Sequence, residues 1–221
     1  MNLLIQLHRN AAYSTILQRQ LDDLQAIAKD KTLPNMIHIV EHEPVITMGR
    51  SFDAKHLLYS EEYLRSQGID LCQASRGGDI TYHGTGQWTV YPILRMGTDC
   101  VQRDLHQYMR QLESVVIEYL YMHHVKAFRI FDKTGVFVNH HDKPHKIAAI
   151  GIAVRKWISF HGFAINIQNS LTPQRCYMTP CGISPDEAGV TSLAECAGNV
   201  YDMVTEARKI LESFFIVFGL K

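Results

Sequence analysis

Apolar positions along the chain recur with two periods, and the alternation between them divides it into elements. Residues 11–29 place Ile16, Leu17, Leu21, Leu24 and Ala28 at helical spacing, which predicts one apolar helix face. Residues 101–122 carry Val101, Leu105, Tyr108, Leu112, Val115, Val116 and Leu120 in the same rhythm and predict the longest helix. Another amphipathic helix is predicted over residues 201–218. Between them, short apolar runs predict strands at 3–7, 36–40, 45–48, 69–74, 87–94, 135–139, 146–155 and 158–167. Ser60, followed by Glu61 and Glu62 and closed by Gly68, predicts a short capped helix. Asp142, Pro144 and Lys156 mark polar connections of the hairpin kind, and a glycine-rich loop joins the strands at 69–74 and 87–94. There is no repeat, low-complexity tract or Pro/Ser-rich linker. The pattern predicts one α/β domain over residues 1–221, a sheet covered by helices rather than a bundle or a sandwich.

Composition adds exclusions. An apolar fraction of 46% and a formal net charge of zero describe a globular chain with no sequence-wide basic field for nucleic acid or an anionic membrane. A local basic patch could still dock an acidic partner. Cys72, Cys100, Cys176, Cys181 and Cys196 form an odd set without CxxC spacing, which suits neither a disulfide framework nor a zinc site. The N-terminal residues lack the order of a secretory signal, and no run approaches the ~20 apolar residues of a membrane span. A cytoplasmic protein with reduced thiols is expected.

Four segments could carry chemistry. The first contains Arg76, Gly77, Gly78, Asp79, Ile80, Thr81, Tyr82 and His83, and continues to Gln87. Adjacent glycines let backbone N–H groups approach a ligand closely, while Arg76, Thr81, His83 and Gln87 add side-chain polar groups suited to a carbonyl or carboxylate. Composition alone reads equally well as a tight loop. The second segment is Pro180-Cys181-Gly182, a constrained turn that can present sulfur to a cleft. Such a thiol is mostly protonated at neutral pH and needs a neighbouring cation to become a nucleophile; otherwise it is a small hydrophobe. The third opens with Lys146 and runs through Ala149, Ile150 and Gly151. Lys146 either ends a strand in solvent or points into a cleft and supplies that cation. The fourth, His161 to Asn166, holds Gly162, Phe163 and Ala164, whose small members make room for a chain or permit close packing. His140, His141 and His145 read as a solvated hairpin loop rather than a metal site, so no metal is assigned.

Together these blocks resemble the lipoyl(octanoyl) transferase family of lipoate biosynthesis. The family pattern R-G-G-x-x-T-aromatic-H-x-x-G-Q is met at every defined position by residues 76–87, and K-I-x-x-[LIV]-G, H-G-x-A-[LI]-N and P-C-G follow in order at 146–151, 161–166 and 180–182. Thr179 departs from the asparagine more often found before Pro-Cys-Gly, which puts loop detail in doubt rather than the chemistry. The resemblance implies a mixed central sheet flanked by helices, similar to the biotin and lipoate protein ligase catalytic domain. It implies that Cys181 carries an octanoyl or lipoyl group as a thioester beside Lys146. Substrate contacts are then expected from Arg76, Gly77, Gly78, Asp79, Ile80, Thr81, Tyr82, His83, Ala149, Ile150, Gly151, Gly162, Phe163 and Ala164. The implied donor is octanoyl-acyl carrier protein. The implied acceptors are lipoyl domains of 2-oxoacid dehydrogenases and the glycine cleavage H protein, with no nucleic acid or membrane partner and no ATP, metal or other cofactor.

In that scheme either Lys146 or His83 serves as base when the acceptor lysine attacks. Arg95, Arg103, Arg155 and Lys156 are candidate contacts for the acidic carrier. The rivals are an ATP-dependent ligase on the same fold, an amidotransferase working between lipoyl-type carriers, and a non-catalytic carrier-binding module. Pro-Cys-Gly weighs against the first, and Cys181 with Lys146 against the last.

Overall fold

The computed structural model describes residues 2–179 and 188–220. The chain opens with a β-α-β unit of β1 (Leu3–Ala11), α1 (Tyr13–Lys29) and β2 (Asn35–His42), whose strands pair in parallel. β3 (Val45–Met48), α2 (Glu61–Ser66), β4 (Asp70–Gln73), β5 (Ile80–His83) and β6 (Gln87–Ile93) follow. After α3 (Leu105–Met122) come β7 (Ala127–Phe128), β8 (Val136–His140), β9 (Lys143–Arg155) and β10 (Ile158–Asn166). β11 (Gly189–Val190), α4 (Leu193–Ala197) and α5 (Met203–Phe218) close the described chain.

The larger sheet runs β1-β2-β6-β10-β9-β8-β7, with β11 beside β9; the smaller runs β4-β3-β5. Parallel and antiparallel neighbours occur in both, so each is mixed. β2 is buried along its whole length because helices cover both faces. Ile37 and Ile39 enter the main core under α3 and α5, while Met36 and Val40 pack beneath α1. Side-chain oxygens of Ser60, Asp104, Ser192 and Asp202 accept N–H bonds at the starts of α2, α3, α4 and α5. No helix among the described residues is long and apolar enough to cross a membrane.

Most predicted elements occur, but pairing redistributes them. The predicted strands at 36–40 and 45–48 do not form a hairpin: the turn between them hands the chain from the larger sheet to the smaller. The glycine-rich segment is not all loop, because residues 80–83 form β5 against β3. The long helix starts at Leu105, since Asp104 caps it, rather than at 101. Opposite Pro92, which has no N–H to donate, the β6–β10 ladder is interrupted between Phe163 and Ile158. There His161 adopts φ 57° within β10 and donates its N–H to Gln20 Oε1 on α1 at 2.8 Å.

Candidate active site

A cavity of about 520 Å³ lies between the two sheets and the start of α3, within the usual range for small-molecule sites. β9 and β10 contribute Lys146, residues 149–151 and 162–164; the glycine-rich segment contributes residues 76–79, Thr81 and His83. Thus three of the four predicted segments converge. Two predicted contacts do not take part in this cavity. Side chains alternate across a strand, so Thr81 and His83 of β5 face it while Ile80 and Tyr82 turn into the small-sheet core with Ile46 and Leu64.

The small residues serve two purposes. Ala149 pairs with Ala164, and Gly151 with Gly162, across β9 and β10. Both alanines line the cavity and leave it width. The glycines instead permit close packing. A Cβ on Gly151 would stand 2.9 Å from Gly77 O and 3.0 Å from Arg76 Cδ, and one on Gly162 would meet Pro92 Cδ at 2.8 Å. The glycine-rich loop therefore rests on bare β9 backbone, where Gly77 N–H donates to Ile152 O at 2.8 Å. The β8 ladder ends at Ala148, so that edge of β9 has no strand partner among the described residues at 149–151, where it borders the cavity.

Beneath the loop runs a chain of buried hydrogen bonds. Arg76 Nη2 donates to Thr47 O at 2.7 Å and Oγ1 at 2.8 Å, so its fork is engaged by β3 rather than left open for a ligand. Gln87 Nε2 donates to Tyr82 O and Asn166 Oδ1, which leaves Gln87 Oε1 to accept from His83 Nδ1 at 2.8 Å. The tautomer of His83 follows: Nδ1 carries the proton. Asn166 Nδ2 passes the chain on to Thr191 O. Thr47 is a member that sequence reasoning missed, because a threonine in a strand carries no signal of its own. Tyr13 and Tyr91, also at the cavity, were equally silent.

Lys146 is buried, and its Nζ sits 5.4 Å from the centre of the Phe137 ring. Its stem lies along Gly135, where a Cβ would meet Cε at 3.3 Å. It makes no ion pair among the described residues. A buried ammonium without a carboxylate is costly unless an anion is supplied from elsewhere. Cys181 lies outside the described residues, but both flanks of its segment are fastened at this site. Met178 and Val190 share a small pocket with Lys146 and Thr81, and Thr191 N–H donates to Lys146 O at 3.1 Å.

Burial holds the histidines of this region neutral. It lowers His42 to about 4 and His161 to about 3, and pushes His83 well below its ordinary value. Their native values lie below that of an unfolded histidine near 6.5, so the unfolded chain binds protons first as pH falls. Their contribution to stability is complete above about pH 6.5 and is lost as pH drops toward 4. On going from pH 7 to pH 5.5, His42 and His161 should each remove about 1.3 kcal/mol of stability, with His83 acting in the same direction. Urea unfolding at the two pH values measures this directly. An unchanged midpoint would show that these imidazoles already titrate in the native protein.

Other candidates are engaged structurally. Arg95 donates to Ile27 O, Asp30 O and Leu33 O at the end of α1, which is no posture for a free docking contact. Arg103 lies over Trp157 and Arg155 over Phe160. His141 and Asp142, at φ 50° and 60°, form the tight turn of the β8–β9 hairpin, where the His140 ring lies tilted against His141 and edge-on to His145.

Comparison with known proteins gives this fold and convergence of segments a class. A family model for the lipoyl protein ligase A/B catalytic domain matches residues 9–215. A lipoate-protein ligase A crystallised with ATP has the same fold, with a TM-score of 0.75 at 16% identity over 100% of this chain and 87% of that one. A biotin protein ligase from Aquifex aeolicus is a more distant match, with a TM-score of 0.53 at 12% identity over 99% and 70%. The octanoyltransferase of Clostridium kluyveri is 38% identical over 211 residues, 96% of this chain and 86% of that protein. That of Rubrobacter xylanophilus is 41% identical over 189 residues, 85% and 80%. The chain belongs to the lipoyl protein ligase A/B family and, within it, is an acyltransferase of the octanoyltransferase group.

Proposed function

We propose that this chain transfers an octanoyl or lipoyl group from acyl carrier protein, through a thioester on Cys181, to a lysine of a lipoyl domain. The observation that carries the reading is the buried ammonium of Lys146, which has no ion-pair partner among the described residues, in a cavity to which both flanks of the Cys181 segment are fastened. A thiolate at Cys181 would be the anion that Lys146 lacks.

The proton then cycles without ATP or metal. The Cys181 thiolate attacks the donor thioester carbonyl, and the oxyanion is received by backbone N–H groups of the β9 edge at 149–151. As the intermediate collapses, the carrier sulfur leaves and takes a proton from the Lys146 ammonium. Octanoyl-Cys181 now faces a neutral Lys146 amine. The incoming lysine attacks the new thioester, Lys146 accepts its proton, and expulsion of the Cys181 thiolate restores the starting pair. Thioester exchange is close to thermoneutral and amide formation is downhill, so no further driving force is needed. His83 is a poor candidate for the base, because burial depresses its basicity. The alanine-lined cavity holds the acyl tail, where each buried CH₂ contributes about 0.8 kcal/mol and discriminates against shorter chains. The acceptors are lipoyl domains of 2-oxoacid dehydrogenases and the glycine cleavage H protein, met in the cytoplasm.

Intact-mass spectrometry after mixing with octanoyl-acyl carrier protein, without ATP or acceptor, tests the scheme. A hydroxylamine-labile octanoyl adduct on Cys181 that disappears on adding lipoyl domain is expected. No adduct, with ATP-dependent transfer of free octanoate instead, would make the chain a ligase.

A further inference from the structure

We propose that His56 is a positioning residue that registers the glycine-rich loop against the segment leading into Cys181; the inference rests on Cys181 being the nucleophile. His56 belongs to a short turn after β3, remote in sequence from every block that carries the chemistry. Two of its groups bond to different parts of the site, one to the glycine-rich loop and one to the segment before Cys181.

Its side chain reaches the loop. His56 Nδ1 donates to Asp79 Oδ2 at 2.6 Å, and Asp79 Oδ1 accepts from Asp53 N–H at 3.3 Å. Asp79 is buried at the cavity, directly after Gly78, and Gly49 N–H donates to its carbonyl at 2.7 Å. The carboxylate thus faces away from any acyl group's needs and is occupied in holding the loop.

Its backbone reaches the other segment. His56 O accepts from Thr179 N–H at 2.9 Å, Leu58 N–H donates to Tyr177 O at 3.0 Å, and Leu57 bridges Met178 between them. Residues 177–179, at the exit of the helical turn Pro173–Tyr177, therefore run alongside 56–58 and are joined to them by the bridge at Met178. Met178 is driven into the small-sheet core beside Ile46, Leu64 and Tyr82, which fixes the depth of that segment. Thr179 is the last described residue before Pro180 and Cys181.

His56 is therefore a tie that bonds at once to the glycine-rich loop and to the segment that leads into Cys181. Attack on a carbonyl requires near-contact geometry, and a misplacement of about 1 Å can lower a rate on the order of 100-fold. Acyl binding depends on cavity walls that His56 does not line, and thiol activation on Lys146, which is anchored separately through Val190 and Thr191. Loss of His56 should therefore strike turnover selectively.

The test compares His56→Leu, which removes the donor, with His56→Asn, whose amide N–H stands near the position of Nδ1. For His56→Leu, kcat of octanoyl transfer should fall at least about 30-fold. KM for octanoyl-acyl carrier protein should stay within about threefold, and the alkylation rate of Cys181 by iodoacetamide within about twofold. His56→Asn should recover most of the lost kcat, and combining His56→Leu with Asp79→Asn should add little to the worse single change. A kcat for His56→Leu within twofold of the unmodified enzyme would overturn the proposal. So would equal losses in the leucine and asparagine variants, or a parallel collapse of alkylation and kcat, either of which marks a merely structural residue. Absence of a Cys181 adduct in the unmodified enzyme would instead sink the thioester scheme, whatever the His56 variants do.

Discussion

Cys181→Ser is expected to reduce octanoyl transfer by at least about 10³-fold, with no hydroxylamine-labile adduct formed from octanoyl-acyl carrier protein. The serine hydroxyl is nearly isosteric, yet it stays protonated beside an ammonium that can stabilise a thiolate but not readily strip an alcohol. The change therefore separates chemistry from binding, and the variant should still take up the octanoyl donor with KM-like affinity. Peptide mapping of the adduct and single-turnover assays read both quantities. Transfer by Cys181→Ser at a rate within tenfold of the unmodified enzyme would remove the covalent step and leave direct transfer between carrier and acceptor. Cys176, five residues earlier and exposed, is the natural control, because its replacement should leave turnover intact.

Lys146→Met should be nearly as damaging, for two reasons that the assay can separate. Methionine keeps the apolar stem against Gly135 and Phe137 but removes the one charge. The Cys181 thiol then loses its cation, so its alkylation rate at pH 7 should fall about tenfold and recover as pH is raised. The aminolysis half-reaction loses its base as well, worth roughly 10²–10⁴-fold on general grounds. Overall transfer should accordingly fall further than alkylation does. A variant whose alkylation profile with pH matches the unmodified enzyme would dissociate Lys146 from Cys181. Folding should survive the change, because the buried ammonium is removed together with its desolvation cost and the Cys181 thiol can stay protonated rather than leave an unpaired anion.

The sequence by itself determined the elements, the family and the chemistry on offer. Helical spacing at Leu24, Leu112 and Leu120 has no other stable use than a face buried on a sheet, and α1 and α3 lie there. The four ordered blocks around Arg76, Lys146, His161 and Cys181 pointed to the acyltransferase group through their joint resemblance to its pattern, while each block alone also fitted an ordinary loop, strand or small apolar residue. Pairing was beyond it. Nothing local tells 45–48 to leave the sheet of 36–40, and that departure creates the small sheet whose β5 turns Thr81 and His83 to the cavity and Ile80 and Tyr82 away from it. Nothing in Arg76 shows that Thr47 engages its guanidinium, and nothing in His56 shows that Asp79 and Thr179 meet on it. A strand's own residues specify its period and its apolar face, but its neighbours are chosen by how all the faces are buried at once. The contacts that set geometry at this site join residues between about 20 and 125 positions apart, and only the assembled core brings those together.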